Sequence, residues 1–272
     1  MNKDAPIGVF DSGVGGLTVA REIIRQIPNE RIIYFGDTAR LPYGTKSKDT
    51  IIRYSRQIVK FLINEGVKAI VVACNTASAY ALEEIKDELE VPIIGVVKPG
   101  ARTAVSVTRN RRIGIIATEG TIGSGLYTRL IHEQNPEIEV IGKACPLLVS
   151  LVEEGWLHDD ITDQVLERYL GELKRADIDT LVLGCTHFPL LRSSVGRVMG
   201  DKVRLVNPAY ETALELKRLL AAGELANVRD VEEPSVMYRF YVSDAAEKFK
   251  NMANMILPFD IKTTKQINIE DY

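Results

Sequence analysis

Hydrophobic and polar positions along the chain fall into two alternating rhythms. Short β-branched runs, "IGVF", "RIIYFGD" and "AIVVAC", are each followed by a stretch whose apolar residues recur every three or four positions: "GLTVAREIIRQI", "DTIIRYSRQIVKFLINEG" and "ASAYALEEIKDEL". The first kind predicts strands and the second amphipathic helices, and their alternation marks βα units around a mostly parallel sheet. The rhythm resumes after Pro99 with "RRIGIIAT", "TIGSGLYTRLIHEQ" and "EIEVIGKA". It continues through "ITDQVLERYLGELKRA", "DTLVLGC" and the strand text at Val203 to Val206, so a second α/β unit follows the first.

The two halves resemble each other. "IGVFDSGVGG" from Ile7 reads like "IGIIATEGTIG" from Ile113, and "AIVVACNTAS" from Ala69 reads like "TLVLGCTHFP" from Thr180. An offset of 106 for the first pair (7 to 113) and 111 for the second (74 to 185) implies an internal duplication with one small insertion. That spacing exceeds solenoid periods, so the repeat is domain-sized. The expected fold class is α/β: two pseudosymmetric domains, each a mostly parallel sheet flanked by helices, with the active site in the cleft between them. The tail "YETALELKRLLAAG", "SVMYRFYVS" and "AAEKFKNMANMIL" adds helix, strand and helix, and is expected to return and complete the first domain. Prolines interrupt the pattern near Val97–Pro99 and Asn207–Pro208, placing residues 1–97 plus 208–272 in one domain and 98–207 in the other.

Length and composition narrow the class without naming a function. A chain of 272 residues, 46% hydrophobic, 26% charged and with a net charge of -3, has room for two domains and lacks the basic footprint of a nucleic-acid binder. Its longest apolar runs are strand-sized, and "MNKDAPIGVF" does not read as a signal peptide, so no membrane partner and a cytoplasmic location are expected. The three cysteines, Cys74, Cys145 and Cys185, are odd in number and widely spaced, which argues for reduced thiols.

In open parallel sheets, ligands bind outside the carboxyl ends of the strands. Four polar clusters fall there: Asp11–Ser12, Asp37 to Gly44, Cys74-Asn75-Thr76 and Cys185-Thr186-His187. A cysteine in an apolar run ordinarily fills space, and Cys145 in "KACPLLV" is read that way. Cys74 and Cys185 differ, since each closes its run at an equivalent place and is followed by hydrogen-bonding residues. A helix N-terminus after each is expected to lower the thiol pKa.

Several thiol chemistries fit poorly. There is no C-x-x-C, Arg192 falls one residue too late for a phosphatase loop on Cys185, and only His187 lies near either cysteine as a further zinc ligand, so no metal is expected. A cysteine hydrolase leaves the second thiol without work. Two opposed thiols do suit racemisation, in which one removes a proton from carbon and the other protonates the opposite face. The α-carbon is a far weaker acid than a thiol, so the site must be preorganised and water-poor. Asp11 is a candidate to assist Cys74, and Glu153 and His187 to assist Cys185, although each also fits a cap, a solvated helix face or a loop, and Glu154 competes with its neighbour. "DSGVGG" is neither a dinucleotide nor a P-loop motif, and reads as a turn whose backbone N–H groups, with Ser12, hold a carboxylate. Tyr43, Gly44, Asn75, Thr76, Thr118, Thr121 and Thr186 extend this candidate binding shell, or are plain caps and turns. His132, His158, Trp156 and the charged stretch "VRDVEEP" carry no functional reading. The residues alone thus give a small carboxylate substrate with an acidic α-carbon. A carboxylate-binding or regulatory protein with structural cysteines, a racemase of another acid such as aspartate, and a hydrolase remain as alternatives.

Together, "GVFDSGVGGLTV", "FGDTARLPYGTKS", "ACNTAS", "LVEEG" and "GCTHFPLL", spread over residues 8 to 191, resemble the glutamate racemases of the cofactor-independent aspartate/glutamate racemase superfamily. The resemblance implies an isomerase needing no cofactor that interconverts L- and D-glutamate, with D-glutamate used in peptidoglycan and hence in cell-wall biogenesis and cell shape. It implies Cys74 and Cys185 as the acid/base pair, and Asp11, Ser12, Tyr43, Gly44, Asn75, Thr76, Thr186 and His187 as substrate contacts. Homodimers are common in the family. No role is carried onto the tail segment Val206 to Tyr210.

Overall fold

The computed structural model describes residues 2–228, 230 and 232–272. Among the described residues ten strands form two sheets: β1 (Ile7–Asp11), β2 (Ile32–Gly36), β3 (Ala69–Val72), β4 (Ile93–Gly95), β5 (Arg112–Ala117), β6 (Glu139–Ala144), β7 (Thr180–Gly184), β8 (Arg204–Val206), β9 (Tyr238–Val242) and β10 (Lys265–Gln266). Every pairing is parallel. The first sheet runs β10-β9-β2-β1-β3-β4 and the second β6-β5-β7-β8. From one edge, β2-β1-β3-β4 and β6-β5-β7-β8 have the same order, and Ile7 pairs with Ala69 as Ile113 pairs with Thr180. The duplication legible in the sequence is therefore a duplication of topology and register, with β9 and β10 added beyond β2.

Strands covered on both faces read as unbroken apolar runs, but their side chains still alternate. Ile7, Val9, Ile32, Tyr34, Ala69 and Val71 share one core with Ile113, Ile115, Ala117 and Val182 of the second sheet. Helices Leu17–Gln26, Val97–Val107, Leu126–His132, Pro208–Ala222 and Ala246–Ile256 contribute to that core. Phe10, Ile33, Phe35, Ile70 and Val72 point the other way, beneath helix Lys48–Asn64. Ile116, Leu181 and Leu183 likewise point outward, beneath helices Leu147–Glu153, Asp160–Arg175 and Arg192–Met199. Cys74 continues the outward row of β3 and Cys185 that of β7.

The prolines read as interruptions open helices instead. Pro99 is the third residue of helix Val97–Val107 and Pro208 the first of helix Pro208–Ala222, positions whose backbone N–H has no intrahelical partner to lose. Through these two helices the chain passes from the first sheet to the second and back. Of "VRDVEEP", Arg229 and Val231 lie outside the described residues, as does Met1. Among the described residues no helix is long and apolar enough to cross a membrane.

Candidate active site

Each strand end delivers one polar group because the chain must leave the apolar sheet and start a helix there. Cys74 is the N-cap of helix Asn75–Tyr80, its Sγ accepting from Ala77 N at 3.5 Å, and it lies 3.8 Å from the Ser12 hydroxyl, to which it donates. Cys185 follows β7 and sits 3.7 Å from His187 Nδ1. The other ring nitrogen, Nε2, is 3.2 Å from Glu153 Oε1. Glu153, not Glu154, reaches the imidazole, because it ends the helix whose buried face carries Leu148, Leu151 and Val152.

Both thiols border one cavity of about 370 Å3, within the size range of small-ligand sites. Ser12, Tyr43, Gly44, Asn75, Thr76, Thr118, Thr186 and His187 line it, as the sequence predicts. Leu41 and Pro42, inside the cluster Asp37 to Gly44, line it too, and Thr45, Glu119, Pro146, Leu147, Val149 and Ser150 line it unannounced. The first two of these flank predicted residues, and only adjacency could have found them. The other four come from a helix start, "PLLVS", that carries no polar signal.

Other predicted residues stand behind the cavity wall. Asp11 is fully buried, and its Oδ2 accepts from Gly13 N and Gly16 N, both at 3.0 Å, while Thr186 Oγ1 donates to Oδ1 at 3.4 Å. The loop amides of Gly13 and Gly16 are thus taken by the protein's own carboxylate. The expectation that they hold a substrate carboxylate is overturned: a turn after a strand end that carries an aspartate satisfies itself first. Thr121 is buried behind Thr118, and the hydroxyls of Thr76, Thr118 and Thr121 form a triangle with sides of 2.9, 3.2 and 3.0 Å. The Tyr43 hydroxyl donates to buried Asp37, which also accepts from Arg40 Nε at 2.7 Å and Ser243 Oγ at 2.8 Å. Tyr43 therefore offers the cavity its ring and backbone. Cys145 is buried in the second-sheet core, His132 bonds the Ile138 carbonyl, and Trp156 is 44% exposed and away from the cavity.

Close approach ties the two halves together here. A Cβ on Gly15 would stand 2.5 Å from Thr186 Oγ1 and 2.6 Å from the His187 ring, so only glycine lets the first loop reach the second. Thr18 Oγ1 donates across the same junction to the Thr186 carbonyl at 2.9 Å.

The electrostatics are unequal on the two sides. Burial, reinforced by the Asp11 charge, pushes the Cys74 thiol up to about 12, against the Ala77 amide and the Ser12 hydroxyl. The lowering expected from a helix N-terminus is thus reversed at Cys74, because desolvating a thiolate costs more than one amide and one hydroxyl return. Burial also pushes His187 down, but its hydrogen bonds to Cys185 and Glu153 outweigh it and raise the imidazole to about 10. The hydrogen bond from His187 holds Glu153 below the usual carboxylate range. Burial raises Asp11, against His187 and the Gly16 and Gly13 amides. One side of the cavity is a protonated thiol, and the other a sulfur facing an imidazolium.

Twin parallel sheets with a cysteine at each equivalent strand end define a class of proteins, and comparison identifies it. The Asp/Glu/hydantoin racemase family profile matches residues 7–215, and the chain belongs to that family. Over nearly full length, the similarity is to glutamate racemases. That of Geobacter metallireducens is 48% identical over 264 residues, 97% of each chain, and that of Neisseria meningitidis serogroup A is 49% identical over 270 residues, 99% of this chain and 97% of the other. Among solved structures, a glutamate racemase isoform from Bacillus anthracis superposes with a TM-score of 0.93 at 40% identity, covering 98% of both chains. The glutamate racemase of Francisella tularensis, solved in complex with D-glutamate, superposes with a TM-score of 0.92 at 39% identity, covering 99% of this chain and all of that one.

Proposed function

We propose that this enzyme interconverts L- and D-glutamate by passing the α-proton between Cys74 and Cys185, without a cofactor. The observation that carries the reading is that two thiols at equivalent ends of β3 and β7 border one small cavity. In one direction Cys185, as thiolate, takes the α-proton: an S–H bond forms and the C–H electron pair passes into the substrate carboxylate. The Cys74 thiol then gives its proton to the opposite face of the carbon and is left as thiolate. In the other direction the roles exchange.

Burial suits Cys74 to the acid role, and an imidazolium donating to the Cys185 sulfur and to Glu153 steadies charge on the opposite side. The donors of Ser12, Asn75, Thr76 and Thr118, with the Gly44 and Thr186 backbone, are assigned to the substrate. Asp11 acts from behind the wall, holding its loop and Thr186. The carbanionic transition state is stabilised by this fixed, largely desolvated shell.

The two lobes are assigned to residues 1–97 plus 208–272, and to 98–207, in keeping with sheet membership. A cytoplasmic homodimer supplying D-glutamate for peptidoglycan completes the reading, and rests on the family resemblance.

The test is incubation with either glutamate enantiomer in D2O without pyridoxal phosphate. Deuterium at the α-carbon and loss of circular dichroism are expected. Cys74→Ala and Cys185→Ala should each lower turnover by about 10²–10⁴-fold. Full turnover in either variant refutes the two-thiol mechanism. Parent turnover on aspartate but not glutamate refutes the substrate.

A further inference from the structure

Between the two cysteine loops sits a side chain that the mechanism above does not use. Tyr127, on helix Leu126–His132 of the second lobe, is buried, and its ring packs on Gly184, the residue before Cys185: a Cβ there would stand 3.3 Å from Tyr127 Cε2. Its hydroxyl reaches into the first lobe and donates to Asn75 Oδ1 at 2.8 Å. Asn75 follows Cys74 and lines the cavity. One phenol therefore touches the flank of both cysteines.

A primary amide presents an acceptor at one end and donors at the other, with nearly the same shape either way round. Its orientation is set by whatever its neighbours demand. With Oδ1 taken by Tyr127, Asn75 Nδ2 has no protein acceptor among the described residues. Burial and the nearby Cys185 sulfur hold the phenol well above its ordinary value, so its proton stays on throughout the working pH range; among the described residues Asn75 Oδ1 is the acceptor for that proton, and a flipped amide would leave the buried O–H without one.

We infer that Tyr127 is a positioning residue that fixes Asn75 with its N–H groups towards the cavity, so that the amide receives a substrate carboxylate and refuses an ammonium at that point. The inference rests on the glutamate reading for the identity of the ligand. Without the hydroxyl, the amide loses the partner that fixes it, and its flipped form sets Oδ1 against the carboxylate. Because the electron pair of the broken C–H bond passes into a substrate carboxylate, the lost contact weakens both bound substrate and transition state, and the loss is read in kcat/KM.

The test is Tyr127→Phe, which removes one oxygen and keeps the ring, measured alone and in an Asn75→Ala background. kcat/KM for both glutamate enantiomers should fall by about 5- to 30-fold, the equivalent of one buried hydrogen bond. In the Asn75→Ala background the same change should leave kcat/KM where it is, since the residue through which Tyr127 acts is gone. A purely structural role predicts a lower melting temperature with parental kcat/KM, or the same fold-change in both backgrounds, and either result overturns the inference. Parent turnover is measured first. A parent inactive on glutamate sinks the substrate reading, whereas an active parent with an unaffected Y127F variant sinks the Tyr127 inference alone.

Discussion

His187 is a buried imidazole with a partner at each ring nitrogen, Cys185 at Nδ1 and Glu153 at Nε2. A neutral ring donates at only one nitrogen, whereas the imidazolium donates at both, which is why the charged form wins despite burial. The sign follows. Its folded pKa of about 10 lies above the ordinary 6.5, so the stabilisation is complete below about 6.5 and is lost as the pH rises through about 10. Glu153→Gln keeps the acceptor but removes the charge, and should move the alkaline limb of the kcat/KM profile down by about 1–3 units. Glu154→Gln, on an exposed neighbour, should leave the profile alone. A pH–rate series on the three proteins measures this, and an unmoved limb in the Glu153 variant would separate His187 from turnover.

At the scale of elements, the cavity mouth is where the turn Tyr43–Thr45 of the first lobe meets helix Glu119–Gly123 of the second. A Cβ on Gly44 would stand 2.6 Å from Thr118 Cβ, and the Gly44 carbonyl is 3.1 Å from the Cβ position of Gly120. Gly44→Ala should push these apart and strain the Thr76–Thr118–Thr121 triangle. The expected cost is about 10- to 100-fold in kcat/KM with a folded circular-dichroism spectrum; parental kinetics would show that the mouth is not part of the site. Elements of this kind were legible in unequal measure. Strand ends announced themselves, because a polar cluster closing an apolar run marks the point where the chain leaves the sheet. The helix Val97–Val107 did not: the buried face of "VKPGARTAVSV" is Val97, Pro99, Gly100, Ala101 and Ala104, mostly small residues and a proline that do not read as an apolar stripe. Helix Leu147–Glu153 was legible only through its last residue. The occupancy of the Gly13 and Gly16 amides by Asp11, and the reach of Tyr127 to Asn75, depend on which side chain arrives first in three dimensions, and spacing along the chain does not encode that.

At the scale of the molecule, the repeat in the sequence suggests two domains that share only a cleft, but the packing is more continuous. Helix Pro208–Ala222, with which the chain returns to the first lobe, buries Ala213, Leu216 and Leu220 in the core that also holds Ile7, Val9, Ile113 and Val182. Inner faces of both sheets therefore lose their cover together, and neither lobe has a complete core without the helices that contribute to it. Unfolding should be a single cooperative event despite the 272-residue length. The chain's one tryptophan, Trp156, lies in the second lobe and reports on that lobe alone, whereas far-ultraviolet circular dichroism reports on all helices and strands. In urea, the two signals should trace one coincident transition. Leu216→Ala, which opens a cavity in that core, should move both midpoints together by about 2–5 kcal/mol of stability. Transitions that separate, with the tryptophan signal holding its parental midpoint in the variant, would mean that the second lobe stands on its outward core of Leu148, Leu166, Leu170 and Leu173 alone, and that the shared layer fixes the angle between lobes without supporting either.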